Sequence, residues 1–181
     1  MRWVFSFAAA ALLLQSSAAR ALPPLGSSQP DRRLQPVDGD PLMLSSSLGR
    51  PTLIFYESKS SRSQNWPFKK KLKDLVHETS SYRERVALLP IVDLEGYDFW
   101  PVHGFAADAV RAEAKRIGYP IYCDWNGDLK RAFDVRGDLS TVILIDRAGK
   151  VIFASEGPLS EDEQAHLLDL LRVELQVASD Q

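Results

Sequence analysis

The stretch PTLIFYESKSSRSQNWPFKKKLKDL, Pro51 to Leu75, decides the fold. It opens on a continuous apolar and β-branched run, Pro51 to Tyr56, of the kind that forms a strand buried on both faces. It then crosses a short serine-rich loop. From Ser63 to about Thr79 the residues Phe68, Leu72, Leu75 and Val76 recur on one stripe at helical spacing. Pro67 falls in the opening turn of that helix, where its missing N–H costs little. A buried strand that feeds a helix through a tight polar loop is the repeating unit of an α/β sheet.

The same alternation continues downstream. RVALLPIVDL, Arg85 to Leu94, is a second buried strand, followed by the aromatic loop GYDFWPVHGF, Gly96 to Phe105. AADAVRAEAKRIG, Ala106 to Gly118, reads as a helix stopped by glycine, and YPIYCD as a short strand. GDLKRAFDV makes a short helix with Leu129, Ala132 and Phe133 inward. STVILID and KVIFAS flank the connection Arg-Ala-Gly, which predicts a hairpin. The last helix, SEDEQAHLLDLLRVEL, opens with Ser160 and Glu163 at capping-box spacing and carries Leu167, Leu168, Leu171 and Leu175 on one face. Upstream, LQPVDGDPLMLSS predicts a small hairpin about Asp38-Gly39. The fold class expected is α/β: a mixed central sheet with helices on both faces and an N-terminal hairpin extension.

With 181 residues and 45% apolar content, the chain suits one domain with a sizeable core, placed here at residues 34–175 with a tail at 176–181. Residues 1–21 read as a signal peptide: a basic start at Arg2, the apolar run WVFSFAAAALLL, and Ala19-Arg20-Ala21 as a cleavage site, with the cut after Ala21. Residues 22–33, rich in proline, serine and glycine, read as a flexible lead-in. The expected location is therefore periplasmic or secreted. The apolar run is short for a membrane anchor, so no membrane is expected as a partner of the mature form. Removal of residues 1–21 takes away two arginines and no carboxylate, so the net charge goes from −2 to −4. The one basic cluster, Lys69 to Lys73, is flanked by acidic residues and is no nucleic-acid footprint.

Three segments in order resemble the thioredoxin-like superfamily, in its extracytoplasmic thiol-oxidoreductase and peroxiredoxin branches. They are DGDPLMLSSSLGRPTLIFY, YPIYCDWNGDLKRAFDVRG and STVILIDRAGKVIFASEG. The overall character is closest to the exported YtfJ-like proteins. The resemblance implies a Cys-x-x-Cys motif at the positions of Ser60 and Ser63, here Ser60-Ser61-Arg62-Ser63, and a cis-proline at the position of Ser140. A helix N-terminus can lower a thiol's pKa into the working range, but its effect of about 1 kcal/mol cannot ionise a serine hydroxyl. The chain contains a single cysteine, Cys123, so an intramolecular disulfide is excluded by arithmetic. The function implied is that of an exported binding or interaction module without the redox pair, which leans away from an enzyme and leaves activity open. The alternative is a one-cysteine peroxidase or thiol-exchange protein acting through Cys123.

The remaining candidates follow from residue chemistry. Ser60, Arg62, Trp66, Phe99, Trp100 and His103 form the expected surface for an unknown protein or small ligand, at the end of the sheet where the redox site would be. The aromatic loop either lies open as such a surface or folds back over the sheet edge; the second is favoured because long apolar loops are usually covered. A serine triad of Ser60, His103 and Asp93 or Asp98 is chemically possible but sits on no nucleophile elbow. The histidines show no paired metal-ligand spacing, and no glycine-rich phosphate loop is present, so neither a metal nor a cofactor is expected.

Overall fold

The computed structural model describes residues 22–78 and 84–176, and of Leu75 to Glu78 the backbone only. The signal peptide expected at residues 1–21, the helix end expected at Thr79, and most of the tail lie outside the described residues, as do the side chains of Leu75 and Val76.

The strands β3 (Thr52–Glu57), β4 (Ala87–Asp93), β5 (Tyr122–Asp124), β6 (Thr141–Ile145) and β7 (Val151–Glu156) form one sheet in the order β5-β4-β3-β6-β7. β3, β4 and β5 run parallel, while β6 and β7 are antiparallel. The helices are α1 (Trp66–Glu78), α2 (Val102–Ile117), α3 (Asp128–Ala132) and α4 (Glu161–Gln176). Strand alternation splits the core. Leu53, Phe55, Val142 and Leu144 pack on Phe68 and Leu72 of α1 and on Leu167 and Leu171 of α4. Ile54, Tyr56, Ile143 and Ile145 point the other way, onto Leu129 and Phe133 around α3 and onto Leu34 and Leu44. α2 seats Val110 against Cys123 and Val92 at the β5 edge.

The N-terminal hairpin is present as β1 (Arg33–Leu34) and β2 (Leu42–Met43), paired antiparallel around a longer loop than a tight Asp38-Gly39 turn requires. Its loop does more than turn. Gln35 O accepts from Cys123 N at 2.7 Å, and Val37 N donates to Ile121 O at 3.1 Å, so residues 35–37 cover the outer edge of β5. Residues 26–29, where composition alone suggests a flexible lead-in, bond along the opposite edge: Gly26 N to Val151 O at 2.7 Å and Gln29 N to Gly149 O at 2.8 Å. Both exposed edges of the sheet, which would otherwise invite pairing with another chain, are thus blunted by the N-terminal arm.

The capping box forms as spaced: Glu163 N donates to Ser160 Oγ at 3.2 Å, and Ser160 N donates to Glu163 Oε2 at 2.8 Å. Glu163 Oε1 also accepts from Ser155 Oγ at 2.7 Å, which ties α4 to β7. Ser160→Ala is expected to cost about 1 kcal/mol, read as a fall of roughly 2–4 °C in melting temperature.

Two local expectations are corrected. α2 begins at Val102, so His103 stands on a helix and not in the aromatic loop; Gly104, a weak helix former, masks the early start. α1 begins at Trp66, and residues 59–65 are consecutive turns, because the serine hydroxyls bond to the local backbone there and compete with the helix.

Candidate functional site at the carboxyl end of the sheet

The parallel register that sets Glu57 opposite Val92 brings the loops after β3 and β4 to the same end of the sheet. Open α/β sheets present ligand-binding residues at this end. β3 finishes in an acidic residue after five buried positions, and that residue organises the site.

Glu57 Oε2 is ion-paired with Lys69 of α1, and the Glu57 carboxylate is only 12% exposed. Its Oε1 accepts from Ser140 Oγ at 2.7 Å. Ser140, fully buried just before β6, also accepts from Asn65 Nδ2 at 2.9 Å, and its N–H donates to Gln64 Oε1 at 3.0 Å. Asn65, itself 2% exposed, donates further to Gly157 O at 3.0 Å and accepts from Leu159 N at 2.8 Å. Lys69 Nζ reaches back to Arg62 O at 3.1 Å and lies 5.2 Å above the Phe55 ring. One connected network therefore joins β3, the serine turn, α1, β6 and the segment before α4. None of its fully buried side-chain nitrogens or oxygens lacks a partner, the condition under which buried polar clusters rigidify a fold.

The serine turn is closed by its own hydroxyls. Ser61, buried, accepts from Ser58 N at 2.9 Å, and Ser58 Oγ meets Ser60 Oγ at 2.9 Å. Ser60 and Ser63 are exposed in this turn, upstream of the first helical residue. Ser140 faces the same turn through Gln64 and Asn65. Ser140 is thus tied to the turn that carries Ser60 and Ser63, whose own side chains stay outside the network.

The expected binding residues divide into two groups. Trp66, half exposed, lies against the Arg116 guanidinium at 5.7 Å, near Arg62. The Arg116 hydrogen bond, with smaller contributions from Arg62 and Lys69, holds the Glu113 carboxyl below its usual range. Phe99, Trp100 and His103 gather at the opposite end of α2, where His103 stacks on Trp125 with ring centroids 4.1 Å apart. His103 and Arg116 are separated by about 20 Å of helix. The aromatic loop does not fold back: Trp100 is 91% exposed, Phe105 70% and Phe99 57%. The helix begins directly after Pro101, so Phe99 and Trp100 stand at its start and in solvent.

The serine triad does not assemble among the described residues. His103 Nε2 lies 3.8 Å from Asp98, Ser60 bonds only to Ser58, and Asp93 pairs with Lys130 at 3.3 Å. Asp93 packs so tightly that a Cβ on Gly137 would stand 1.9 Å from its Oδ2. Gly137→Ala is expected to push that carboxylate off Lys130 and cost about 1–3 kcal/mol, measured by urea denaturation. Cys123 is 4% exposed, and burial, reinforced by Asp38, pushes its thiol up to about 11. No cluster of three or more potential metal-ligating acidic, histidine or cysteine side chains occurs among the described residues.

Glu57, Ser61, Gln64, Asn65 and Lys69 are the site residues that the sequence alone does not disclose. A carboxylate closing an otherwise apolar strand is the one visible hint.

A mixed five-stranded sheet in the order β5-β4-β3-β6-β7, with a closing hairpin and helix, defines a thioredoxin-like fold. Solved structures agree in fold. A proposed protein disulfide isomerase from Bacteroides thetaiotaomicron superposes with a TM-score of 0.65 at 24% identity, over 85% of this chain and 91% of that one. A proposed thiol:disulfide interchange protein, DsbE, from Chlorobium tepidum gives 0.63 at 18% identity, over 83% and 97%. The exposed lipoprotein thioredoxin of Streptococcus pneumoniae gives 0.56 at 20% identity, over 78% and 100%. No curated protein matches in sequence. Over residues 59–174 the chain matches the family described as "Bacterial protein of unknown function (YtfJ_HI0045)", and it belongs to that family.

Proposed function

We propose that this protein is a redox-inactive thioredoxin-fold module that works outside the cytoplasm and binds a protein or small ligand at the carboxyl end of its sheet. The observation that carries this is the closed Glu57–Ser140–Asn65 network beside a serine turn, at the place where the resemblance puts a reactive cysteine pair. The site has been turned from electron transfer to rigidity. Phe99 and Trp100, in the loop after β4, are left open, and exposed aromatics in a cluster are the residue types that anchor interfaces. The signal-like residues 1–21 support an extracytoplasmic location. In the described residues no helix is long and apolar enough to cross a membrane. The buried, proton-retaining thiol of Cys123 speaks against the alternative of one-cysteine catalysis.

The test is crosslinked capture from the extracytoplasmic fraction of the source cells, with the wild-type chain and a Phe99→Ser, Trp100→Ser double variant of verified fold. A partner retained by the wild type and lost by the variant is expected. Equal recovery by both, or by neither, refutes the aromatic surface as a binding site.

A further inference from the structure

Beside the aromatic loop, between β1 and the start of α3, lies a cleft of about 260 Å³ lined by Arg33, Gln35, Asp98, Asp124, Trp125 and Leu129 among others. Asp124 is the unusual member. It is 3% exposed, yet it has no cationic partner among the described residues. Its Oδ2 accepts both the Tyr56 hydroxyl and Lys130 N, each at 2.9 Å, which leaves Oδ1 without a hydrogen bond among the described residues. Oδ1 is not sealed in the core either; the fully enclosed, partnerless oxygens there belong to Gln29 and Thr141. The free oxygen of a nearly buried carboxylate therefore opens on the cleft it lines. A carboxylate this nearly buried and without a counter-charge is costly, and a charged N–H donor is the group that satisfies its open oxygen best.

The lining also supplies a complementary charge. Arg33, on β1, lines the same cleft and makes no ion pair among the described residues. Asp98 and Asp128 also line it, Asp128 already paired with Arg131 at 2.8 Å. Trp125 contributes an apolar surface, held in place by the stacked His103. The volume falls below the ~300–1,000 Å³ of clefts for drug-sized ligands, which restricts the occupant to a small molecule.

We infer that this cleft binds a small zwitterion of the amino-acid class, its ammonium on Asp124 Oδ1 and its carboxylate toward Arg33. The inference deepens the proposed function, since it rests on the carboxyl end of the sheet being a binding surface.

The full chain, labelled with nitrogen-15, is titrated by NMR with free amino acids singly at millimolar concentration, then with the N-acetyl and carboxamide forms of any that bind. The expected shifts centre on the Trp125 indole and the amides of Asn126 to Leu129. N-acetylation is expected to weaken binding about tenfold or more, because it removes the charged donor. Asp124→Asn disturbs the core through Tyr56, so the exposed Arg33→Ala carries the mutational arm: it is expected to weaken the free amino acid and leave its carboxamide unaffected. Absence of shifts with every amino acid, equal binding of the N-acetyl form, or an equal effect of Arg33→Ala on both forms would overturn the inference. None of these outcomes touches the redox-inactive reading, which fails only on turnover.

Discussion

Replacing Asn65 by alanine is expected to cost about 3–4 kcal/mol, because the change strands buried groups that have no alternative partner. Asn65 Nδ2 donates to Ser140 Oγ and Gly157 O, and Oδ1 accepts from Leu159 N. After truncation Ser140 keeps Glu57, but the Gly157 carbonyl and the Leu159 N–H lose the bonds described here. For a domain of this size the melting temperature falls by about 2–4 °C per kcal/mol, and hence by roughly 6–16 °C. Ser140→Ala is expected to cost less, about 1–2 kcal/mol, since Asn65 Nδ2 keeps Gly157 O and Glu57 keeps Lys69. Calorimetry on both variants checks the order. A loss below about 1 kcal/mol for Asn65→Ala would mean that the network does not hold the segments together.

Cys123 in the folded chain is expected to react with iodoacetamide at neutral pH at least about a hundredfold more slowly than an ordinary cysteine. The thiolate is the reacting species, and a thiol pushed from 9.0 up to about 11 carries about a hundredfold less of it. Burial of the sulfur slows the reaction further. The rate is expected to rise about tenfold per pH unit up to about 10 and to level only near 11. The sign of the linked stability follows: the unfolded chain releases this proton first, so the contribution is full below about 9 and is lost as the pH rises to about 11. Mass spectrometry of labelled peptide, with a denatured control that restores fast labelling, makes the measurement. Rapid saturable labelling of the native chain would revive the one-cysteine alternative.

The strands and the capped last helix are legible in the sequence because their signals are local. Thr52–Glu57 is an unbroken apolar run, and Ser160 and Glu163 sit three residues apart. Asn65 and Ser140 are 75 residues apart, and nothing in either neighbourhood announces the contact. The arm at residues 26–29 is likewise held by edge pairing with β7, a non-local bond that a proline- and serine-rich composition conceals. Exposure of the aromatic loop depended on where α2 starts, and a helix boundary at Val102 followed by Gly104 is poorly marked. Cys123 reads correctly as buried from its apolar neighbours, whereas the open oxygen on Asp124 depends on which partners Tyr56 and Lys130 choose.

The decisive measurement is catalytic turnover in insulin reduction and hydrogen peroxide consumption by the purified chain, beside its Cys123→Ser variant. With serines at positions 60, 63 and 140 and the lone thiol buried, both proteins are expected to stay at the uncatalysed background. Turnover above background that persists in Cys123→Ser would contradict the loss of redox chemistry, and turnover lost only in that variant would assign the activity to Cys123.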